Sequence, residues 1–242
     1  MIRVGVGGWT YAPWRGVFYP PGLAQARELE YAGRHLTSIE INGTFYGSQK
    51  PESFRRWAAE TPDDFVFSVK GPRFTTHRKV LAEAGESIDR FFNGGVRELG
   101  KKLGPVLWQF APFKKFEAED FAAFLALLPK DVRHAVEVRH RSFVTPEFVA
   151  IARKAKVAIV MVESEKHPPI DEATADFTYA RLEKTKADVA TGYTKPELRA
   201  WAKKARDWET NGKRDVFIYM ISGAKERAPA AAMALIEELG RE

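Results

Sequence analysis

At 242 residues the chain has the length of one large domain, and its hydrophobic fraction of 45% is enough for a sizeable core. It contains no cysteine, which excludes a disulfide framework, a thiolate nucleophile and a cysteine-based zinc site. The net charge of +6 comes from scattered pairs such as Lys101-Lys102, Lys114-Lys115 and Lys203-Lys204. Such pairs read as a solvated surface, with an anionic ligand as their other use.

Taken in order, short β-branched or aromatic runs alternate with helix-like segments. The first run, Ile2–Gly7, starts almost at once and reads as leaving no room for a signal peptide. With apolar stretches too short to span a bilayer, a cytoplasmic chain without membrane contact is expected. A second run covers 37–42, and Ser48 to Pro51 then lead into a helix over 52–60. A third run covers 65–70, and the long interval 71–104 must hold both a loop and a helix. The fourth, 106–110, precedes apolar residues at helical spacing over 116–128. After the fifth, 134–138, Thr145-Pro146-Glu147 combines a capping residue, a first-turn proline and an acid beside the helix dipole. The sixth, 157–162, is followed by a stretch over 163–176 with no helical pattern. The seventh is Phe177–Leu182, and Thr194 to Glu197 then repeat the capping arrangement before 198–208. The eighth, 216–221, leads to a final helix over 229–239.

Strands alternating with helices indicate parallel βαβ units. Eight of them in this length predict one domain over 1–242: an α/β, TIM-type (β/α)8 barrel with irregular third and sixth connections.

Side chains alternate across a strand, so each barrel strand sends one set to the helices and the other to the interior. Ile39 and Ile41 share one face, opposite Ser38, Glu40 and Asn42; Val136 and Val138 oppose Ala135, Glu137 and Arg139. The apolar set faces the helices, which turns the polar set inward. The same logic turns Ser68, Lys70, Gln109, Tyr179 and Arg181 inward, and Glu163 closes the sixth strand. These groups fall at the C-terminal strand ends, where barrel enzymes place their chemistry. The bland alternative is a ring of ion pairs that plugs the barrel.

Gly7-Gly8-Trp9 with Tyr11, Trp14, Gly16 and Phe18-Tyr19-Pro20 resembles the opening of the YecE-like family, domain of unknown function 72. Glu40-Ile41-Asn42 with Thr44-Phe45-Tyr46, Trp57 with Thr61-Pro62, and Phe67-Ser68-Val69-Lys70 with Thr76-His77 continue the series in order. Leu99-Gly100, Gly104-Pro105, Gln109-Phe110 with Pro112, and Glu137-Val138-Arg139-His140 with Ser142-Phe143 complete it. The resemblance implies a TIM barrel and no particular reaction. The C-terminal third departs from the family pattern. Glu183-Lys184 stands where a His-Gly pair is usual, Ile221-Ser222-Gly223 where asparagines are usual, and Glu163 where Asp is usual.

Three functional readings follow. The first is an enzyme, of hydrolase or isomerase type, acting on a small polar or anionic substrate such as a sugar or phosphorylated metabolite. In it Glu40, Glu137 and Lys70 are catalytic. One carboxyl, its pKa raised by burial, serves as acid and the other as base or nucleophile. Trp9, Tyr11, Asn42, Tyr46, His77, Gln109, Arg139, His140 and Arg181 bind substrate; the aromatics stack, the cations hold the anion, and His77 either moves protons or orders its loop. Lys70 reads as ion-paired in preference to a Schiff-base lysine. The second reading is a divalent-metal enzyme with Glu40, Glu137, His140 and Glu163 as ligands. It ranks lower because the five histidines form no metal-binding pair and the site is cationic. The third is a nucleic-acid binding or scaffold protein, supported by the pI of 9.4 but not by any recognition motif. Cofactor and oligomeric state are not legible, and no metal site is assigned.

Overall fold

The computed structural model describes residues 1–240. The sheet strands are β1 Ile2–Gly7, β2 Ser38–Ile41, β3 Val66–Lys70, β4 Leu103–Gln109, β5 His134–Glu137, β6 Ala158–Ile159, β7 Met161–Glu163, β8 Phe177–Leu182 and β9 Asp215–Met220. All pair in parallel, in the order β6-β5-β4-β3-β2-β1-β9-β8-β7. The two ends of that order are consecutive in the chain. The run read as one sixth strand is broken only at Val160, whose N–H donates to the Val136 carbonyl. Below the break the chain pairs with β5, above it with β8, so the sheet curls into a nearly closed barrel of eight strand positions.

The helices are α1 Glu28–His35, α2 Gly43–Tyr46, α3 Pro51–Ala59, α4 Arg73–Thr76, α5 Gly85–Asn93, α6 Ala118–Leu127, α7 Pro146–Ala155, α8 Lys195–Glu209 and α9 Ala228–Leu239. The expected caps are present. The Thr145 hydroxyl accepts from the Phe148 N–H at 3.2 Å, and the Glu197 carboxylate accepts from the Thr194 N–H at 2.8 Å, each satisfying a free donor at a helix start. α1 was not anticipated, because its surface-facing charges mask a short apolar stripe of Leu29, Ala32 and Gly33. Between β7 and β8 no helix forms, as the pattern over 163–176 predicts. No described helix is long and apolar enough to cross a membrane.

Two apolar layers follow the strand parity. Val4, Val6, Ile39, Ile41, Val136, Val138, Ile218 and Met220 belong to the layer that packs on the helices. Leu107, Ala135, Ala158, Val160, Val162, Phe177, Tyr179, Phe217 and Tyr219 fill the barrel interior. Where β1 and β2 meet, a Cβ on Gly5 would fall 1.8 Å from the Ser38 carbonyl oxygen, so only glycine admits this approach. Midway up the barrel, Ser38 donates to the Val66 carbonyl at 2.6 Å. That leaves its oxygen to accept from the Tyr219 hydroxyl at 2.7 Å, and Tyr219 accepts from Ser68 at 2.6 Å. Every hydroxyl in this buried chain is satisfied.

One histidine holds the outer layer together. His134 is buried, accepts from the Trp108 indole N–H at 3.1 Å and donates to the Pro129 carbonyl at 2.9 Å. Burial pushes its pKa from 6.5 down to about 4, so the folded chain holds it neutral. Unfolded chains bind this proton near 6.5 and the folded chain only near 4. Its stabilising contribution is therefore full above 6.5 and drains as the pH falls from there through 4, by about 3 kcal/mol. Urea unfolding at pH 7 and pH 4.5 should show this loss, and His134→Gln should unfold with a distinctly shallower pH dependence. Equal slopes in the two proteins would remove His134 as the cause.

Candidate functional site

The polar ends of the strands meet at the C-terminal mouth. Arg181, on β8, is 2% exposed and lies between two carboxylates that are fully buried, Glu40 from β2 and Glu137 from β5. Its Nε and Nη2 donate to Glu40, each at 3.2 Å, and its Nη1 donates to Glu137. The remaining carboxylate valences are also filled. Tyr179 donates to Glu40 at 2.6 Å; Gln109 and the Arg139 Nε each donate to Glu137 Oε1 at 2.8 Å. Burial alone would raise the Glu137 pKa, but Arg181 and Arg139 outweigh it and hold the carboxyl down at about 2. Burial and the charge on Glu40 keep the Tyr179 phenol protonated, as a donor must be.

Above this layer lies a cavity of about 600 Å³, lined by Gly7, Gly8, Trp9, Asn42, Tyr46, Trp57, Lys70, Gln109, Arg139, Arg181, Glu183, Ser222 and Lys225 among others. The lining includes Arg181 but omits Glu40 and Glu137, the two acids that Arg181 joins. The two glutamates expected to supply acid and base are thus taken up by hydrogen bonds to Arg181, Tyr179, Gln109 and Arg139. The Glu137 carboxyl, held at about 2, is ionised at neutral pH.

Lys70 departs from expectation in the other direction. Its ammonium makes no hydrogen bond or ion pair among the described residues; it sits over the Phe45 ring, 3.9 Å from the centroid. Both neighbouring acids are already occupied by Arg181, Arg139, Tyr179 and Gln109. Burial, then the positive Arg181, push its pKa down to about 8, against the partial support of Glu40 and Glu137. Two further cations are only partly engaged. Arg139 uses its Nε on Glu137, leaving Nη1 and Nη2 without a partner among the described residues. Lys225 lies 4.4 Å from the Tyr11 ring centroid and has no ion pair among the described residues. Three cations without full counter-charges thus lie around one cavity, whose lining also holds Glu183.

Neighbouring loops lock the rim. Thr44, in α2 after β2, donates to the carbonyl of Lys70 at 2.6 Å. Thr76, in α4 after β3, does the same to Gln109 at 2.6 Å. Each one-turn helix thus caps the end of the following strand and fixes the direction of its last side chain. Gly223, at φ +84°, turns the chain after β9, and a Cβ there would fall 2.6 Å from the Thr185 backbone.

Of the other residues read from the sequence, Trp9, Asn42, Tyr46 and Gln109 line the cavity. Trp9 stands edge-on to Trp57 at 5.1 Å, which fixes one wall. Tyr11 supports Lys225 and packs on Trp14 outside the lining. His77 packs edge-on against Phe45 and Phe113, also outside the lining, in the loop-ordering role. His140 accepts from the Ser142 N–H at 3.1 Å and caps a short turn; the strand has ended before it, and its ring serves the loop. Glu163 has the outward parity of Met161 and bonds to Tyr193 and, at 3.2 Å, to the Lys184 N–H. The four groups read as a metal set therefore do not converge, and among the described residues no cluster of three or more acidic or histidine side chains is arranged to hold a metal ion.

Among the cavity-lining residues that the sequence reading did not assign to the site are Gln49, Trp57, Glu183 and Lys225. Lys225 lies just past Ser222-Gly223-Ala224, a segment noticeable only for its position after the last strand. His167 comes from the patternless stretch between β7 and β8. Its Nδ1 is buried without a partner, and burial, followed by Arg139, depresses its pKa, with Glu183, Glu137 and Arg181 also acting on it. No local signal marks it.

Comparison with known proteins agrees with this architecture. Residues 3–242 match the family described as protein of unknown function DUF72. The UPF0759 protein YecE of Escherichia coli is 31% identical over 144 residues, 59% of this chain and 50% of that protein, so the match spans about half the length of that relative. A crystal structure of a DUF72 family protein from Thermotoga maritima superposes with a TM-score of 0.81 at 23% identity over 100% of both chains. SacUVDE superposes with a TM-score of 0.61 at 10% identity, also over 100% of both chains. These two structures speak to the fold alone.

Removing one partner from a buried charge network leaves the others uncompensated. Glu137→Gln should lower the unfolding free energy by about 3–5 kcal/mol, read from chemical denaturation at pH 7. A loss below about 1 kcal/mol, the value of a surface pair, would mean that the network does not hold the barrel end together.

Proposed function

The chain belongs to the DUF72 family of proteins of unknown function, and on that premise we propose that it is an enzyme for a small anionic substrate bound at the barrel mouth. The observation that carries this reading is the trio of Lys70, Arg139 and Lys225, incompletely paired around a cavity of about 600 Å³. That size suits a metabolite. The free Nη1 and Nη2 of Arg139 form a fork suited to a carboxylate or phosphate. Trp9, Trp57 and Tyr46 offer apolar surface for the rest of the molecule, and Asn42, Gln49 and Gln109 offer amide groups to orient it.

The surface charges support a small ligand over a nucleic acid. Many exposed cations are spent on acids of their own surface, including Arg34 on Glu30, Arg97 on Asp131, Arg133 on Asp215, Arg153 on Glu172 and Lys203 on Asp207.

Catalysis in this reading falls to the groups that face the cavity, with Lys70 foremost. Its amine is neutral in part of the population near pH 8 and is able to accept a proton or attack an electrophile. Glu40 and Glu137 act through position: they fix Arg181 and Arg139, and so two of the residues that line the cavity.

Isothermal titration with inorganic phosphate at low ionic strength should show saturable binding at one site per chain. Arg139→Met should weaken it by about tenfold or more, the loss of one charge-assisted contact. Absence of saturable binding, or an unchanged affinity in Arg139→Met, would sink the reading.

A further inference from the structure

We propose that Lys70 is a carbonyl-trapping amine, which forms an imine with a small aldehyde or ketone whose carboxylate or phosphate is held by Arg139 and Lys225. The proposal rests on the anion-binding reading above and adds to it a reaction and a substrate class.

Four structural features support it. Lys70 ends β3 and lines the cavity. Its side chain is 6% exposed and packs over the Phe45 face, which restricts its rotamers and aims the amine. The acids that would otherwise fix it as a permanent ammonium are consumed: Glu40 by Arg181 and Tyr179, and Glu137 by Arg181, Arg139 and Gln109. The groups acting on it from other elements are Arg181 on β8, Glu40 on β2, Glu137 on β5, Arg139 after β5 and His77 after β3. Of these, His77 is pushed toward its neutral form, while the two arginines discourage a second positive charge. The resulting pKa of about 8 puts a reactive share of free amine within the neutral-to-alkaline range. A desolvated lysine beside another cation is the general recipe for an amine nucleophile.

The same cations serve the carbonyl compound. An anionic group would balance the charges of Arg139 and Lys225 and hold its carbonyl compound in the cavity that Lys70 also lines. In the first step the amine lone pair forms a C–N bond as the C–O π pair moves to oxygen. A proton passes from nitrogen to that oxygen, giving a carbinolamine. The C–O bond then breaks with its electron pair as the nitrogen lone pair forms C=N, and the oxygen takes the second amine proton and leaves as water. The imine gains a proton from solvent to become an iminium, an electron sink for bonds to the adjacent carbon. Neither oxidant nor reductant is consumed.

The test uses the full chain with two ketones, pyruvate and dihydroxyacetone phosphate, each with sodium cyanoborohydride to reduce any iminium to a stable secondary amine. Peptide mass mapping then reads the labelled fraction at each lysine. The expected result is labelling of Lys70 by at least one ketone, about tenfold above the median lysine, greater at pH 8 than at pH 6, and suppressed by inorganic phosphate. Labelling of Lys70 no higher than the median with both ketones overturns the proposal. Phosphate titration of the unlabelled chain separates the two levels of the reading. Binding without selective labelling removes the imine and leaves the anion site, whereas no binding and no labelling remove both.

Discussion

A single guanidinium organises the C-terminal end of this barrel. Arg181 is buried between Glu40 and Glu137, which come from strands on opposite sides of the interior, and its three donor nitrogens bridge them. Burying these charges costs several kcal/mol per ion unless geometry and hydrogen bonds compensate. Here every carboxylate oxygen has at least one donor, from Arg181, Tyr179, Gln109 or Arg139. The network closes the barrel from within, much as the hydroxyl chain of Ser38, Tyr219 and Ser68 does lower down.

The charge count of that network also determines what is left over. Two carboxylates meet Arg181 and Arg139, so the pair of acids is neutralised before Lys70 is considered. Lys70 therefore remains an ammonium without a counter-ion, resting on an aromatic face in place of an acid. The residues that bond to the two carboxylates thus also deprive one lysine of its partner. The carboxylates, which strand parity alone would make the obvious chemical groups, stay out of the cavity lining.

Much of the fold is readable from local pattern. Period-two alternation identified Ile39 and Ile41 as helix-facing and Glu40 as inward, and Val136 and Val138 as opposed to Glu137; the two apolar layers separate along those lines. Thr145-Pro146 and Thr194 with Glu197 announced helix starts through capping chemistry that needs only a few neighbouring residues. The break at Val160 was hidden, because a continuous apolar run carries no mark of where its pairing changes from one neighbour to the other. For His140, strand parity alone could not say whether the strand had ended; it has, and the ring accepts from the Ser142 N–H in a turn.

The sequence by itself determined the barrel, the inward set of each strand and the concentration of charge at the C-terminal ends, since backbone geometry ties those properties to spacing along the chain. The tertiary structure alone decided the pairing: that Arg181 takes both glutamates, that Lys70 takes neither, and that Lys225 joins the mouth from a segment with no local signature. Which side chains meet across a barrel depends on register, closure and loop path. Coulomb forces and hydrogen-bond geometry then choose partners among the groups that closure has brought within reach.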